Sequence, residues 1–318
     1  ASRVSAGVLL GLVLWGLGEW ARQRDERLPL PGAVPPDLVP PALAAAGSVA
    51  LFASLYAAHG LYDLLGPLTA FVLLAAVGVL TVAQSLLHGV FMAWLGIAGI
   101  YIVPALVTTP HPSIAGLLGY IGIATAGSTA LLRWRAWPWL GALALIGAVF
   151  WAIAAMVAGT EAELLWPLGL YLLALPLLFL LVTDAVSEAP LGVRTVTGWL
   201  AAGLSVLLMW VLVEIEQYDT TALIFAAVLA AIYAALAWRH ASFDRLVWIG
   251  ALLESAVIAG WEFGRGTWSP DERLHLLMVP PSGDVGSYVT VAAITGAAFG
   301  LGGYALLWGA PQPPRRAF

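Results

Sequence analysis

Trp139-Leu-Gly-Ala-Leu-Ala-Leu-Ile-Gly-Ala-Val-Phe-Trp-Ala-Ile-Ala-Ala-Met-Val157 holds nineteen residues without a charge. About 20 apolar residues in a helix span the hydrocarbon core of a bilayer, about 30 Å thick, so the stretch reads as one crossing. It opens on Trp139-Leu140-Gly141, shortly after Arg133 and Arg135. A bulky aromatic beside a positive charge suits the start of a membrane helix at the headgroup boundary. The phrase recurs as Trp94-Leu95-Gly96 after His88, Trp199-Leu200-Ala201 after Arg194, and Trp248-Ile249-Gly250 after Arg245. Intervals of 45, 60 and 49 residues each fit a helical hairpin that crosses the bilayer twice. Trp94, Trp139, Trp199 and Trp248 are read as interfacial anchors, and the chain as a series of membrane hairpins.

The rest of the chain has the same character. Of 318 residues, 61% are hydrophobic and 10% charged, with a mean hydropathy of +0.94. Soluble domains hold about 45–50% apolar and about 25% charged residues. Apolar runs fall at 4–20, 41–62, 65–87, 90–107, 114–133, 137–157, 164–186, 195–215, 221–238, 246–263 and 288–308. They predict an all-α fold, a polytopic transmembrane bundle of about eleven helices built from two-helix hairpins, in one integral membrane domain over 1–318. All thirteen basic residues are arginine, and cysteine is absent, which removes disulfides, thiol nucleophiles and thiolate metal sites. No basic patch or aromatic platform points to nucleic acid, and no motif implies a metal or cofactor. The chain starts at Ala1, inside an apolar run by Val4, with its positive cluster after the run and not before it. That is the wrong order for a signal peptide and predicts a piece of a longer chain.

Arginine sets the expected orientation. With the first helix running outside to inside, Arg22, Arg24, Arg27, Arg133, Arg135, Arg194, Arg239, Arg245, Arg315 and Arg316 are cytoplasmic. Arg3, Arg265 and Arg273 fall outside, ten against three. The first residue then lies outside, the C-terminus inside, and all four tryptophan phrases at the cytoplasmic boundary. Two connections are longer. Residues 21–40 are rich in proline and charge and read as a cytoplasmic connector. Residues 264–287 read as an external loop with a mixed set of candidates: Arg265, Trp268, Asp271, Glu272, Arg273 and His275. Ala130-Leu-Leu-Arg-Trp-Arg before Trp139 is similar to Ala234-Ala-Leu-Ala-Trp-Arg before Trp248, so the helices around 114–157 resemble those around 221–263. Because the order and direction match, the repeat would be parallel, as in transporters whose sites form between repeats.

Aligning the four phrases picks out one position. Six residues after each tryptophan stand Ile100, Leu145, Ser205 and Glu254. Glu254 lies nine residues past Arg245, about 13 Å along a helix and near the bilayer centre. A charge there costs several kcal/mol unless paired, hydrated or protonated, which makes Glu254 the leading intramembrane candidate. The alternative is a protonated acid that glues helices together by a hydrogen bond. His59 and Asp63, four apart, are candidates for an oriented histidine, with an interfacial polar pair as the alternative. Gln84 and His88 close a helix at the cytoplasmic headgroups, and Glu19 stands three residues before Arg22 as a local ion pair. Glu214, Glu216 and Asp219 form an external acidic group, read as a solvated helix end ahead of a divalent-cation site. Pro104 and Pro176 interrupt helices, as residues beside a binding cavity can. Gly296, Gly300 and Gly303 give the last run a small-residue face for its own bundle or a membrane protein partner. No catalytic residue is assigned.

Five features within residues 11–152 carry a family resemblance. They are the run from Gly11 to Gly18-Glu-Trp-Ala-Arg, then Ser54-Leu-Tyr-Ala-Ala-His-Gly-Leu-Tyr-Asp-Leu-Leu-Gly-Pro, then Leu95-Gly-Ile-Ala-Gly with Pro104-Ala-Leu, Gly119-Tyr and Trp139-Leu-Gly-Ala-Leu. In order and spacing these resemble a family of large bacterial polytopic membrane proteins known only as a domain of unknown function. The resemblance implies a multi-pass protein of the bacterial inner membrane, tied to the cell envelope, and brings no substrate or active-site residue. The functional expectation, resting on the parallel repeat, the interrupted helices and Glu254, is a carrier for a small or lipid-linked envelope solute. The alternatives are a non-catalytic structural or assembly subunit and, less favoured, an envelope enzyme facing the outside.

Overall fold

The computed structural model describes residues 2–23, 38–107, 113–134, 137–159, 161–184, 193–239 and 243–264, with scattered positions between 289 and 297. Among the described residues the chain is all helical. The helices are α1 (Ser2–Gln23), α2 (Val39–Gly60), α3 (Pro67–His88), α4 (Val90–Leu106), α5 (Ile114–Trp134), α6 (Pro138–Ala158), α7 (Glu161–Asp184), α8 (Val193–Ile215), α9 (Thr220–Arg239) and α10 (Leu246–Gly264). Eight of them are long and apolar enough to cross a membrane, while the apolar stretches Val90–Leu106 and Leu246–Gly260 are shorter. Ten of the eleven expected runs are thus helices. The eleventh, 288–308, lies outside the described residues apart from isolated positions. Large apolar side chains such as Leu9, Leu68, Ile123, Val157 and Leu252 stand on the surface. Large apolar side chains exposed along helices of membrane length belong against lipid.

The chain divides into two compact units, residues 1–154 with 181–197, and 155–180 with 198–318. In the first, α1 and α2 meet backbone to backbone. A Cβ at Gly18 would stand 3.0 Å from the Pro40 carbonyl and from the Ala44 nitrogen, and one at Gly11 3.0 Å from the Gly47 carbonyl. Lipid is as apolar as leucine, so membrane helices gain from close contact through small residues and not from apolar burial. Polar groups join in where they have partners. The Trp15 indole donates to Ser48 Oγ at 2.9 Å, and Thr81 donates to the same oxygen at 3.1 Å, linking α1, α2 and α3.

Helices α3 and α4 are separated by Gly89 alone, whose φ of +94° only glycine adopts without strain. The reversal brings Gly96 onto α3, where a Cβ would lie 2.6 Å from the Val82 nitrogen and 3.1 Å from the Gly78 carbonyl. Pro104 removes the N–H that would bond the Ile100 carbonyl, four residues earlier in α4. That carbonyl accepts the Tyr120 hydroxyl of α5 at 2.9 Å, and the next one, of Tyr101, accepts the Trp151 indole of α6 at 2.7 Å. The proline that the sequence marks as a cavity signal is here a joint, its freed carbonyl taken up by Tyr120.

In the second unit, Tyr233 of α9 is buried and donates to the Ala202 carbonyl of α8 at 2.9 Å. A Cβ at Gly250 of α10 would stand 3.4 Å from Ala230 Cα in α9. Trp166 of α7 meets Phe225 of α9 edge to face, with centroids 5.4 Å apart. These contacts order α8, α9 and α10 as an up, down, up trio.

Candidate functional site

The tryptophan phrases divide their helices by face. Trp94, Trp139 and Trp248 are 43%, 68% and 77% exposed, and Trp199 is half-buried. Two residues on, about 200° around the helix, Gly96, Gly141, Ala201 and Gly250 are buried. Gly96 packs on α3, Gly141 on Leu132 of α5, and Gly250 on α9, in each case the preceding helix. Each phrase therefore turns an aromatic outward and a small residue inward at the same level. The position six residues beyond the tryptophan follows suit: Ile100, Leu145, Ser205 and Glu254 are all buried.

Glu254 is 6% exposed, with its Oε1 sealed from solvent. It stands among Leu246, Gly250, Leu253 and Val257, the buried stripe of α10. Spacings of four, three, one and three residues keep that stripe on one side of the helix. The carboxyl group therefore does not face lipid. Inside a helix bundle, an acid of this kind carries its charge only together with a cation, a donor set or water.

Six residues further along α10, about 9 Å of rise, Gly260 faces a polar group at the far end of α8. A Cβ at Gly260 would overlap the Tyr218 hydroxyl, lie 2.5 Å from Glu214 Oε1 and 3.4 Å from the Trp210 indole nitrogen. Tyr218 donates to Glu214 Oε1 in a short hydrogen bond. Although it sits in the turn between α8 and α9, Tyr218 is only 4% exposed. Its burial, and then the Glu214 carboxylate, push the phenol well above the ordinary tyrosine range. Gln217 and Tyr218 both have left-handed backbones, with φ of 49° and 62°, an uncommon state for two successive residues with side chains. Asp219 is exposed and accepts the Thr221 N–H at 2.8 Å as the cap of α9; that bond lowers its carboxyl below the ordinary value. The acidic group thus splits into a half-buried Glu214 contact and a solvated cap at Asp219. Among the described residues, no three His, Asp or Glu side chains converge as a metal site. Tyr218 and Gly260 carry no motif, and only the local apolar-to-polar change at 215–219 hinted at them in the sequence.

The other candidates separate. His59 bonds through Nδ1 to the Leu65 carbonyl at 2.9 Å, whereas Asp63 is exposed in a left-handed turn. The helix ends at Gly60, so the four-residue spacing no longer places the two side chains together. Gln84 and His88 close α3, where His88 Nε2 comes within 3.9 Å of Glu19 Oε2 in α1. Glu19 is held meanwhile by Arg22 Nε at 2.9 Å and by Gln23 at 2.8 Å. Arg265, Trp268, Asp271, Glu272, Arg273, His275, Gly300 and Gly303 lie outside the described residues. Gly296 is exposed with open space around it.

Residues 1–263 match the family described as predicted membrane protein, DUF2339. The chain belongs to that family. Family membership extends beyond the stretch 11–152 that carries the visible resemblance, reaching through α10 and including Glu254, Glu214 and Tyr218. No curated protein and no solved structure matches the chain. Membership establishes a membrane protein with several crossings, in keeping with the apolar helices and the lipid-facing exterior.

Proposed function

We propose that the chain is a carrier of the bacterial inner membrane, moving a small or lipid-linked envelope solute, with Glu254 as the group that takes up a proton or meets the solute. The observation that supports this most is the burial of Glu254 on the interior stripe of α10. At the matched positions Ile100 and Leu145 are apolar and Ser205 bonds back to its own helix, so the carboxyl group of Glu254 is the departure among them. The orientation follows the arginines, with the Arg239 and Arg245 end cytoplasmic and the Glu214 end outside. A parallel repeat of α5–α6 in α9–α10 agrees with Gly141 and Gly250 each packing on the preceding helix.

The test requires no solute. Proteoliposomes adsorbed on a solid-supported membrane are given a pH jump, and the charge displaced within the protein is recorded. Wild type displaces charge, and E254Q, folded and equally abundant, does not. The competing subunit reading predicts no displacement from either protein, with E254A lowering only stability. Equal displacement by wild type and E254Q would overturn the assignment of Glu254.

A further inference from the structure

We infer that the turn between α9 and α10 binds an anionic phospholipid, its phosphate held by Arg239 and Arg245 and flanked by Trp238 and Trp248. Such a site needs no titration of Glu254.

The hairpin fixes where these four side chains stand. Ala237, Phe243 and Leu246 are buried, pinning the end of α9, the turn and the start of α10, and the residues beside them are turned out. Trp238, Arg239, Asp244, Arg245 and Trp248 are all exposed, the two indoles at 69% and 77%. Trp248 is the most exposed of the four phrase tryptophans. Depth follows from the packing of Gly250 on Ala230. At 1.5 Å per residue from that level, Trp248 stands about 3 Å further out, Arg245 about 7.5 Å, and Trp238 with Arg239 about 12–14 Å. The polar layer on each side of the hydrocarbon is about 5–8 Å deep, so the two indoles bracket it. Long arginine side chains extend their heads into the same layer. The membrane-length helix α9 ends at Arg239, which sets this layer at the turn.

Both arginines have their charge to spare. Among the described residues the ion pairs are those of Glu19 with Arg22 and with His88, and the side chains of Arg239, Asp244 and Arg245 have no hydrogen-bond or ion-pair partner. Two arginines against one aspartate leave the turn positive. Elsewhere the charge is already spent or covered: Glu19 holds Arg22 Nε at 2.9 Å, and His88, the cation before Trp94, has its side chain 3% exposed. Guanidinium groups bond phosphate oxygens in pairs, and cations at headgroup depth attract anionic lipid. A soluble phosphate would be served by the arginines alone. The exposed indoles add the amphipathic surface that settles at the boundary of lipid and water, which selects the lipid.

The experiment is native mass spectrometry of the purified protein, delipidated in detergent and titrated with phosphatidylglycerol or phosphatidylcholine. Wild type is expected to retain phosphatidylglycerol in preference to phosphatidylcholine. R239Q and R245Q should each weaken that retention about fivefold, and the double variant about thirtyfold, the factor that each interfacial arginine contributes. R22Q removes the same charge from an arginine already held by Glu19 and should leave retention unchanged. Equal weakening by R22Q and R245Q overturns the site in favour of a general surface charge. Equal retention of the two lipids by wild type, or undiminished phosphatidylglycerol in the double variant, overturns it outright. R245Q alone decides the matter if the double variant fails to fold.

Discussion

Two acids in the second unit show how far position governs what a carboxyl group can do. Asp219 stands in solvent at the start of α9 and accepts the Thr221 N–H, and that bond outweighs the small desolvation it suffers, so its charged form is favoured. Because its carboxyl is held below the ordinary aspartate value, the stability it contributes is fully present above that ordinary value. It is lost as pH falls through the lowered one. Thermal unfolding in detergent should therefore show an acid-side loss of stability in wild type, and D219N, which keeps a cap without a titrating charge, should flatten that slope. Glu254 instead lies on the buried stripe of α10 that carries Gly250, Leu253 and Val257, with little access to water. Both residues were visible in the sequence as acids at the edge or the middle of an apolar run. Alignment on Trp248 found Glu254 because depth in a bilayer translates into residue count. Tyr218 was missed because aromatic residues at helix ends read as interfacial anchors, and nothing in the order of residues says that this one turns inward.

At the scale of the element, the sequence reading was strongest for helices and weakest for how they touch. Apolar runs of about membrane length could only be helices once lipid was the solvent, since no other open segment satisfies its own backbone there. The tryptophan phrases located the starts of α4, α6, α8 and α10 to within a few residues, and the structure adds their second function, a small residue facing the preceding helix. His59 and Asp63 fared otherwise: a four-residue spacing pairs side chains only while the helix continues, and α2 stops at Gly60. Pro104 was legible as an interruption but not as a repaired one, because the donor that repairs it, Tyr120, comes from α5. Removing the Tyr120 hydroxyl leaves the Ile100 carbonyl without its donor. Y120F should cost about 1 kcal/mol of unfolding free energy, measured by denaturant titration in micelles. Replacing a lipid-exposed side chain of the same helix, Ile123, by leucine serves as the control and should change little.

For the whole molecule, composition and arginine placement carried the reading as far as a multi-pass membrane protein, and family membership over residues 1–263 agrees. What such a protein moves or holds is decided by a few polar groups brought together by packing, and packing between apolar helices leaves almost no trace in composition. In the first unit, polar side chains tie helix to helix: Trp15 and Thr81 both to Ser48, Tyr101 to Thr125, and Tyr120 at Pro104. The second unit contains the one carboxylate that the alignment of phrases sets apart, and with it the account stands or falls. Dicyclohexylcarbodiimide, an apolar reagent that adds only to protonated carboxyl groups, reads that residue directly in intact membranes. Peptide mass spectrometry after treatment should find Glu254 modified in wild type, with the yield falling as pH rises. Glu254 left unmodified at every pH, while the reagent reaches other carboxyl groups of the chain, would contradict the claim that it titrates within the bundle.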